Sequence, residues 1–69
     1  MNKFVERLLE LRREKGVTQI QVAQGAGLSN GAIANYELSR RTPTMHGLIA
    51  LADYFGCSLD YLVGRSEDF

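Results

Sequence analysis

Apolar residues in this chain recur at intervals of three and four positions, the spacing that places side chains on one face of an α-helix. The first such stripe runs through residues 3–15, where Asn2 can cap the helix and Gly16 can end it. No alternating pattern typical of a β-strand competes with the helical one. Four later stripes predict helices at about residues 19–25, 30–37, 44–55 and 59–63.

These five segments and the short loops between them predict an all-α fold, a compact five-helix bundle in one small domain. Gly56 would end the fourth helix, and Ser58 would cap the fifth. Gly64 would end the fifth helix, which gives a domain of residues 1–64 and a polar C-terminal tail of residues 65–69. In the fourth helix we expect inward side chains at Met45, Leu48, Leu51, Ala52 and Phe55.

The second and third segments form the most specific local pattern. Thr18 can accept a hydrogen bond from the first turn of the second helix, and Gln21 three residues later completes a capping-box pattern. Gly27 can end this helix because glycine enters the left-handed conformation without a steric penalty. Ser29 is expected to cap the next helix, whose inward residue is Ile33. Two short helices joined by such a turn form a helix-turn-helix.

The pattern continues on both sides of this segment, over about residues 3–64. The helix-turn-helix segment is preceded by Arg12 and Gly16 and ends with Tyr36 and Glu37. It is followed by Arg40, Arg41 and Pro43. This order of residues resembles the Cro and phage-repressor type of helix-turn-helix domain, the XRE-like family. The resemblance implies a lambda-repressor-like DNA-binding domain from a prokaryote or phage, with the helix-turn-helix formed by helices 2 and 3.

Charge is unevenly distributed, although eight basic and eight acidic residues give a net charge of zero. Residues 1–41 hold seven basic and four acidic side chains, a local charge of +3, whereas residues 42–69 hold one basic and four acidic side chains, a local charge of −3. Such asymmetry suggests that one end of the domain faces a polyanion. Ordinary solvated charge is the alternative interpretation, and only the helix-turn-helix pattern favours the first.

Catalytic and metal-binding chemistry has little support. The single cysteine, Cys57, and the single histidine, His46, are too few for a metal site of the usual ligand count. Cys57 stands where a small apolar residue is expected, so we interpret it as a buried substitute for one. No acid–base pair, activated nucleophile or phosphate-binding glycine loop is present, so we expect no enzyme, no cofactor and no small-molecule ligand.

Membrane segments are equally unsupported. No apolar run has the length of a membrane span, and no signal peptide is visible. The sequence therefore predicts a cytoplasmic protein with no membrane partner.

The resemblance assigns base reading to the start of the second motif helix. Members of the family place these residues against base edges in the major groove. Asparagine can pair with adenine through two hydrogen bonds, and an alanine methyl can contact the thymine methyl. By position, the base-reading candidates are Asn30, Gly31, Ala32, Ala34 and Asn35.

Phosphate contacts are expected around the same motif. Gln19 lies at the start of the second helix, where free backbone N–H groups and the helix dipole attract an anion. Ser29 has the same position in the third helix, although capping alone would also explain it. Arg40 and Arg41 follow the recognition helix, where the family's loop runs along the DNA backbone. With two further residues nearby, the phosphate-contact candidates are Gln19, Ser29, Arg40, Arg41, Thr42 and Lys15.

Two further expectations come from the resemblance. Arg12 and Glu37 match an arginine–glutamate pair of the family, so we expect a structural ion pair that holds the third helix at a fixed angle. Ser39 stands where many relatives carry glycine, which predicts a positive φ.

The leading interpretation is a small transcriptional regulator, expected to be a repressor, that binds double-stranded DNA sequence-specifically with a recognition helix at about residues 29–37. One helix reads few base pairs, so we expect a homodimer on a near-palindromic operator. The alternative is a protein-interaction module that keeps the fold with weak or lost base reading. Gly31 and Ala32 offer no side-chain hydrogen bond to a base, and this lack and the zero net charge favour that alternative. The expected dimer surface comprises Ile49, Tyr54, Tyr61, Val63 and the tail to Phe69, although its aromatic residues could instead belong to the core.

Overall fold

The computed structural model describes residues 3–69, and in this range the chain forms five α-helices and no strand. The prediction of an all-α five-helix fold is therefore confirmed. The predicted cap Asn2 lies outside the described residues. The helices are α1 (Lys3–Lys15), α2 (Gln19–Ala26), α3 (Ala32–Glu37), α4 (Met45–Phe55) and α5 (Leu59–Leu62).

One core joins all five helices. The side chains with the largest volume among those fully buried come one from each helix and are Leu8, Val22, Ile33, Leu51 and Leu62. α1 packs against α3 and α5, α2 packs against α3 and α4, and α4 also packs against α5. The Cα radius of gyration is 10.6 Å, close to the roughly 11 Å expected for a compact chain of this length. Each helix thus contributes its apolar stripe to the same interior.

The start of α2 has the predicted capping box. The Thr18 hydroxyl accepts a hydrogen bond from the Gln21 N–H at 3.1 Å, and the Gln21 side-chain carbonyl accepts one from the Thr18 N–H at 2.8 Å. At the other end, Gly27 has φ +73° and its N–H bonds back to the last turn. Both ends of α2 were predicted correctly.

The start of α3 differs from the prediction. The helix begins at Ala32, and the cap position belongs to Gly31, which makes no side-chain capping bond. Ser29 contributes its backbone carbonyl, which accepts from the Ala32 N–H at 3.0 Å, and not its hydroxyl. The expectation that Ser29 caps this helix was wrong because the turn at residues 30–31 places it two residues before the cap.

The end of α3 has the predicted positive φ. Ser39 has φ +58°, its N–H donates to the Tyr36 carbonyl at 3.0 Å, and the Arg40 N–H donates to the Asn35 carbonyl at 2.9 Å. These two bonds are those of a Schellman cap, in which Leu38 occupies the C-cap position. The turn leads the chain directly from α3 into the loop that carries Arg40 and Arg41.

The inward face of α4 begins later than predicted. Met45 was expected to face inward, but its side chain is 64% exposed. The core-facing stripe instead starts at the buried Gly47, where a side chain would meet the Tyr36 hydroxyl. Leu51 and Ala52 are buried as expected, whereas Leu48 and Phe55 pack at the edge of the core.

A buried arginine joins the two ends of the described chain. Arg7 on α1 donates to the Tyr61 carbonyl at 2.7 Å and to the Ser66 carbonyl at 3.3 Å, and its guanidinium lies 3.9 Å from the centroid of the Tyr61 ring. The Ser58 N–H donates to the Phe69 carbonyl at 2.7 Å. Residues 65–69 therefore fold back onto α1 and α5, a role for Arg7 that the sequence pattern did not indicate.

Candidate nucleic-acid interface

The surface of interest is the side of α3 that faces away from the core. Ala32, Ile33 and Tyr36 are buried. Because successive helical residues turn by about 100°, the opposite stripe consists of Gly31, Ala34, Asn35 and Leu38, which we call the outer face of α3. Gly31 and Leu38 are exposed, and Ala34 and Asn35 are half-buried.

The structure brings three of the five base-reading candidates to this outer face. Asn35 and Ala34 lie on it, and Gly31 begins it. Asn30 is exposed in the turn just before the helix. In the part of the chain that the structure describes, neither asparagine amide has a hydrogen-bond partner, so both retain their donors and acceptors for a ligand.

Ala32 corrects the sequence-based assignment. Its side chain is 3% exposed and belongs to the core cluster. The methyl group is used in packing α3 against the rest of the bundle and is not available to a base edge. Of the two alanines proposed to contact thymine, only Ala34 remains.

The basic loop after α3 provides free positive charge. Arg40, Arg41 and Thr42 are all exposed. Neither arginine forms an ion pair among residues 3–69. The Schellman cap returns the Arg40 backbone to Asn35, so the loop that carries both arginines begins directly at the end of α3.

Ser29 and Gln19, two other phosphate-contact candidates, have polar side chains within the helix-turn-helix. Ser29 is exposed, and its hydroxyl is left without a capping role. Gln19 is half-buried, and its side-chain N–H donates to Glu37 at 2.7 Å. The Gln19 amide is thus held in position and retains one further N–H.

Lys15 occupies a different part of the surface. Its ammonium lies 5.3 Å from the centroid of the Tyr54 ring, and that ring covers Gly25 near the C-terminal end of α2. The structure therefore groups Lys15 with the end of α2 and not with its start, where Gln19 lies.

A hydrogen-bonded network fixes the position of α3. Arg12 donates to both carboxylate oxygens of Glu37, from Nε at 2.7 Å and from Nη2 at 3.2 Å. Gln19 is the third donor to this carboxylate, and Arg12 also donates to the Val17 carbonyl at 3.3 Å. The Glu37 side chain is only 7% exposed. The network ties α1, the start of α2 and the end of α3 together, and it neutralises the one acidic residue of the motif.

Other reactive side chains offer no competing site. Burial raises the pKa of the Cys57 thiol above its ordinary value, and the thiol stands among partly buried apolar residues. Residues 3–69 contain no cluster of three potential metal ligands. The longest helix, α1, has 13 residues, and within the same range no helix is long and apolar enough to cross a membrane.

Comparison with known proteins identifies the family. The model of the helix-turn-helix family matches residues 8–62 of this chain. The chain belongs to the helix-turn-helix family. The matched segment contains the whole of α2 and α3 and ends at the last residue of α5.

Two curated relatives show the extent of the similarity. The chain is 38% identical to the uncharacterized HTH-type transcriptional regulator y4dJ of Sinorhizobium fredii, over 99% of this chain and 90% of that protein. It is 38% identical to the cryptic phage CTXphi transcriptional repressor RstR of Vibrio cholerae, over 91% of this chain and 56% of that protein. The chain spans about half the length of most curated helix-turn-helix relatives it matches.

A solved structure extends the similarity to the fold of the whole chain. The crystal structure of the P22 c2 repressor protein in complex with a synthetic operator superposes with a TM-score of 0.84 at 30% identity. The superposition covers 96% of this chain and all of the other. The arrangement of five helices in this helix-turn-helix domain is therefore that of a repressor solved on its operator.

Proposed function

We propose that this chain is a sequence-specific DNA-binding transcriptional regulator, and specifically a repressor. The observation that carries the proposal is the outer face of α3 with the segments at its two ends. Among the described residues, the amides of Asn30 and Asn35 are unpaired, and the loop that follows α3 carries the exposed, unpaired Arg40 and Arg41. The major groove admits an α-helix and presents a distinct pattern of donors and acceptors for each base pair. The relatives, named as transcriptional regulators and repressors and not as enzymes, support this function.

The residues divide into two functional groups in this proposal. Asn30 and Asn35 read base edges, with the Ala34 methyl and the Gly31 backbone close to the floor of the groove. A second group contacts the phosphates on either side and sets the register of the helix without reading sequence. That group comprises Arg40, Arg41, Thr42, Ser29 and the start of α2 at Gln19, where free backbone N–H groups favour an anion.

We further propose that two copies bind one near-palindromic operator in the cytoplasm of a bacterial cell. A pair of identical domains places its two recognition helices about one helical turn of DNA apart. Of the expected dimer surface, Ile49 and Phe69 are exposed. Tyr54 and Tyr61 are half-buried, the first against Phe55 and the second against Arg7. The proposal predicts two chains per operator in sedimentation analysis of the complex.

A salt titration of DNA binding tests the proposed function. Each phosphate neutralised by the protein releases counterions, so the logarithm of the affinity should fall linearly with the logarithm of the salt concentration. The double variant Arg40→Ala, Arg41→Ala should lower the slope by about two per protomer. Asn35→Ala should weaken base preference and leave the slope nearly unchanged.

The zero net charge supports the second candidate, a protein-interaction module with the same fold. Such a module would bind duplex DNA weakly or not at all. The arginine double variant and Asn35→Ala would then have the same effect on DNA binding. Unchanged binding in both the arginine and the asparagine variants would contradict the assignment of the site to α3 and its loop.

A further inference from the structure

Leu38 is a large apolar side chain on the outer face of α3 for which the fold provides no cover. Its side chain is 61% exposed, whereas Leu8, Leu51 and Leu62 are fully buried. The sequence pattern placed Leu38 in a loop, so its position on this face was not predicted. A single exposed leucine is common in any protein, so the residues around Leu38 decide whether its exposure has a function.

Leu38 is the C-cap residue of α3, directly after Glu37, and its side chain has no local packing role. Its N–H donates to the Ala34 carbonyl at 3.0 Å, so it continues the row that contains Ala34. In a Schellman cap the apolar contact that stabilises the turn joins the residue after the αL position to the residue that accepts its N–H. Here those two residues are Arg40 and Asn35, and both are polar. The side chain of Leu38 thus takes no part in the cap that ends α3, although its backbone N–H does.

The composition of the outer face is mostly apolar. Gly31, Ala34 and Leu38 line it, and Asn35 is its only polar side chain. Within three residues of Leu38, Arg40 and Arg41 stand unpaired. If the outer face of α3 lies against the duplex, as the proposed function requires, Leu38 is enclosed between the helix and the duplex. An apolar side chain enclosed there loses its water and needs an apolar partner.

The major groove offers one apolar group on a base edge, the C5-methyl group of thymine. Leu38 lies seven residues after Gly31, roughly 10 Å farther along the helix axis, and the major groove is about 12 Å wide. A side chain that far along the helix faces a different part of the groove from the one that faces the start of α3.

We propose that Leu38 is a specificity-determining residue that contacts a thymine methyl group in each half-site of the operator. This inference rests on the proposed DNA-binding function and adds to it the kind of base that the end of the recognition helix reads. It predicts that discrimination by this protein depends on methyl groups in the major groove as well as on hydrogen bonds from asparagine.

The test uses deoxyuridine, which pairs like thymine but lacks the methyl group. A duplex selected by the full chain from a random pool is prepared as a series in which each thymine is replaced in turn. At one thymine per half-site, the replacement should weaken binding by the wild-type chain about fourfold, the value of burying one methyl-sized group. Leu38→Ala should bind the unmodified duplex about as weakly as the wild type binds a duplex in which that thymine is replaced in both half-sites, and it should be insensitive to the replacement.

Matched variants separate this contact from other effects. Leu38→Met keeps an apolar side chain and should retain the sensitivity to deoxyuridine. Met45→Ala removes a similarly exposed apolar side chain from α4, outside the outer face, and should leave the whole series unchanged. Because the Leu38 side chain is exposed and takes no part in the helix cap, the unfolding temperature of Leu38→Ala should equal that of the wild type.

The outcomes distinguish this inference from the function on which it rests. Suppose that the wild type binds the selected duplex specifically, and that the wild type and Leu38→Ala respond equally to every deoxyuridine replacement. This result would overturn the role of Leu38 and leave the DNA-binding proposal intact. Failure of the wild type to enrich any duplex sequence would overturn both. Loss of sensitivity at one thymine in Leu38→Ala, retained in Leu38→Met, would support the contact.

Discussion

At the scale of single residues, the carboxylate of Glu37 holds the interface together. It accepts hydrogen bonds from Arg12 and from Gln19, one residue on each of two other helices. A buried ion pair contributes little net stability compared with apolar packing, but removing one partner leaves an uncompensated charge that is costly. The role of Glu37 is therefore to set the angle of α3.

The first prediction concerns this carboxylate. Glu37→Ala should lower the free energy of unfolding by about 3 kcal/mol, because Arg12 and Gln19 lose their common acceptor. Glu14→Ala is the matched control on the exposed side of α1 and should change it by less than about 0.5 kcal/mol. Urea denaturation followed by circular dichroism measures both. Equal stabilities of the two variants would show that the network does not hold α3.

At the scale of elements, the two helices of the motif begin in different ways. α2 starts with a complete capping box, whereas α3 starts at a glycine that has no side chain to offer. The first N–H of α3, that of Ala32, donates instead to the Ser29 backbone carbonyl. In the proposed complex this end of α3 lies in the groove with no capping side chain between the helix and the DNA.

The second prediction compares the two starts. Thr18→Ala should destabilise the fold by about 1 kcal/mol because it removes the hydroxyl that caps α2. Ser29→Ala should have an effect below about 0.5 kcal/mol, since its hydroxyl caps nothing. If Ser29 contacts phosphate, the same variant should weaken DNA binding without changing its thermal unfolding. A destabilisation by Ser29→Ala as large as that by Thr18→Ala would contradict the observed start of α3.

Local signals explain which elements the sequence could predict. The capping box of α2 depends on neighbours within three positions, so it was predictable from local sequence, whereas the positive φ of Ser39 was expected from the family resemblance. The start of α3 was not, since glycine at its cap leaves no side-chain signal. The inward face of α4 depends on Gly47 lying against Tyr36, a contact that helical periodicity cannot reveal, and Met45 was therefore misplaced.

The candidate site shows the same division. Family resemblance named Asn30, Asn35 and the two loop arginines as site residues; Asn35 is half-buried and the other three are exposed. The burial of Ala32 and the exposure of Leu38 follow from the phase of α3 relative to the core. That phase depends on where the helix starts, and the sequence placed this start two residues too early.

At the scale of the whole molecule, Arg7 connects the beginning of the domain to its end. The residues whose carbonyls it contacts lie 54 and 59 positions away in the chain, too far for any local pattern to indicate. A buried guanidinium needs several acceptors, and α5 and the tail supply them. Residues 65–69 therefore pack as part of the same folded unit in the described structure.

The third prediction separates the two kinds of contact that Arg7 makes. The Arg7 side chain is 6% exposed, whereas that of Glu67, whose carboxylate lies 3.4 Å from it, is 90% exposed. Arg7→Ala should lower the free energy of unfolding by about 3 kcal/mol, because buried carbonyls lose their donor. Glu67→Ala should cost less than about 0.5 kcal/mol, since exposed ion pairs contribute little.

Hydrogen exchange reports the tail directly. The Ser58 N–H, which donates to the Phe69 carbonyl, should be protected in the wild type and in Glu67→Ala, and should exchange freely in Arg7→Ala. Equal protection of this amide in all three proteins would contradict the role of Arg7 as the residue that holds the tail.

The most direct test of the whole account is the affinity ratio between a duplex selected from a random pool and a scrambled duplex of the same composition, measured at one salt concentration. If the outer face of α3 reads base edges, the wild type should prefer the selected duplex by about 1,000-fold or more. Asn35→Ala should reduce this preference by roughly 1–3 kcal/mol per half-site with its fold intact. Equal binding of the wild type to both duplexes would contradict the claim that this helix reads DNA sequence.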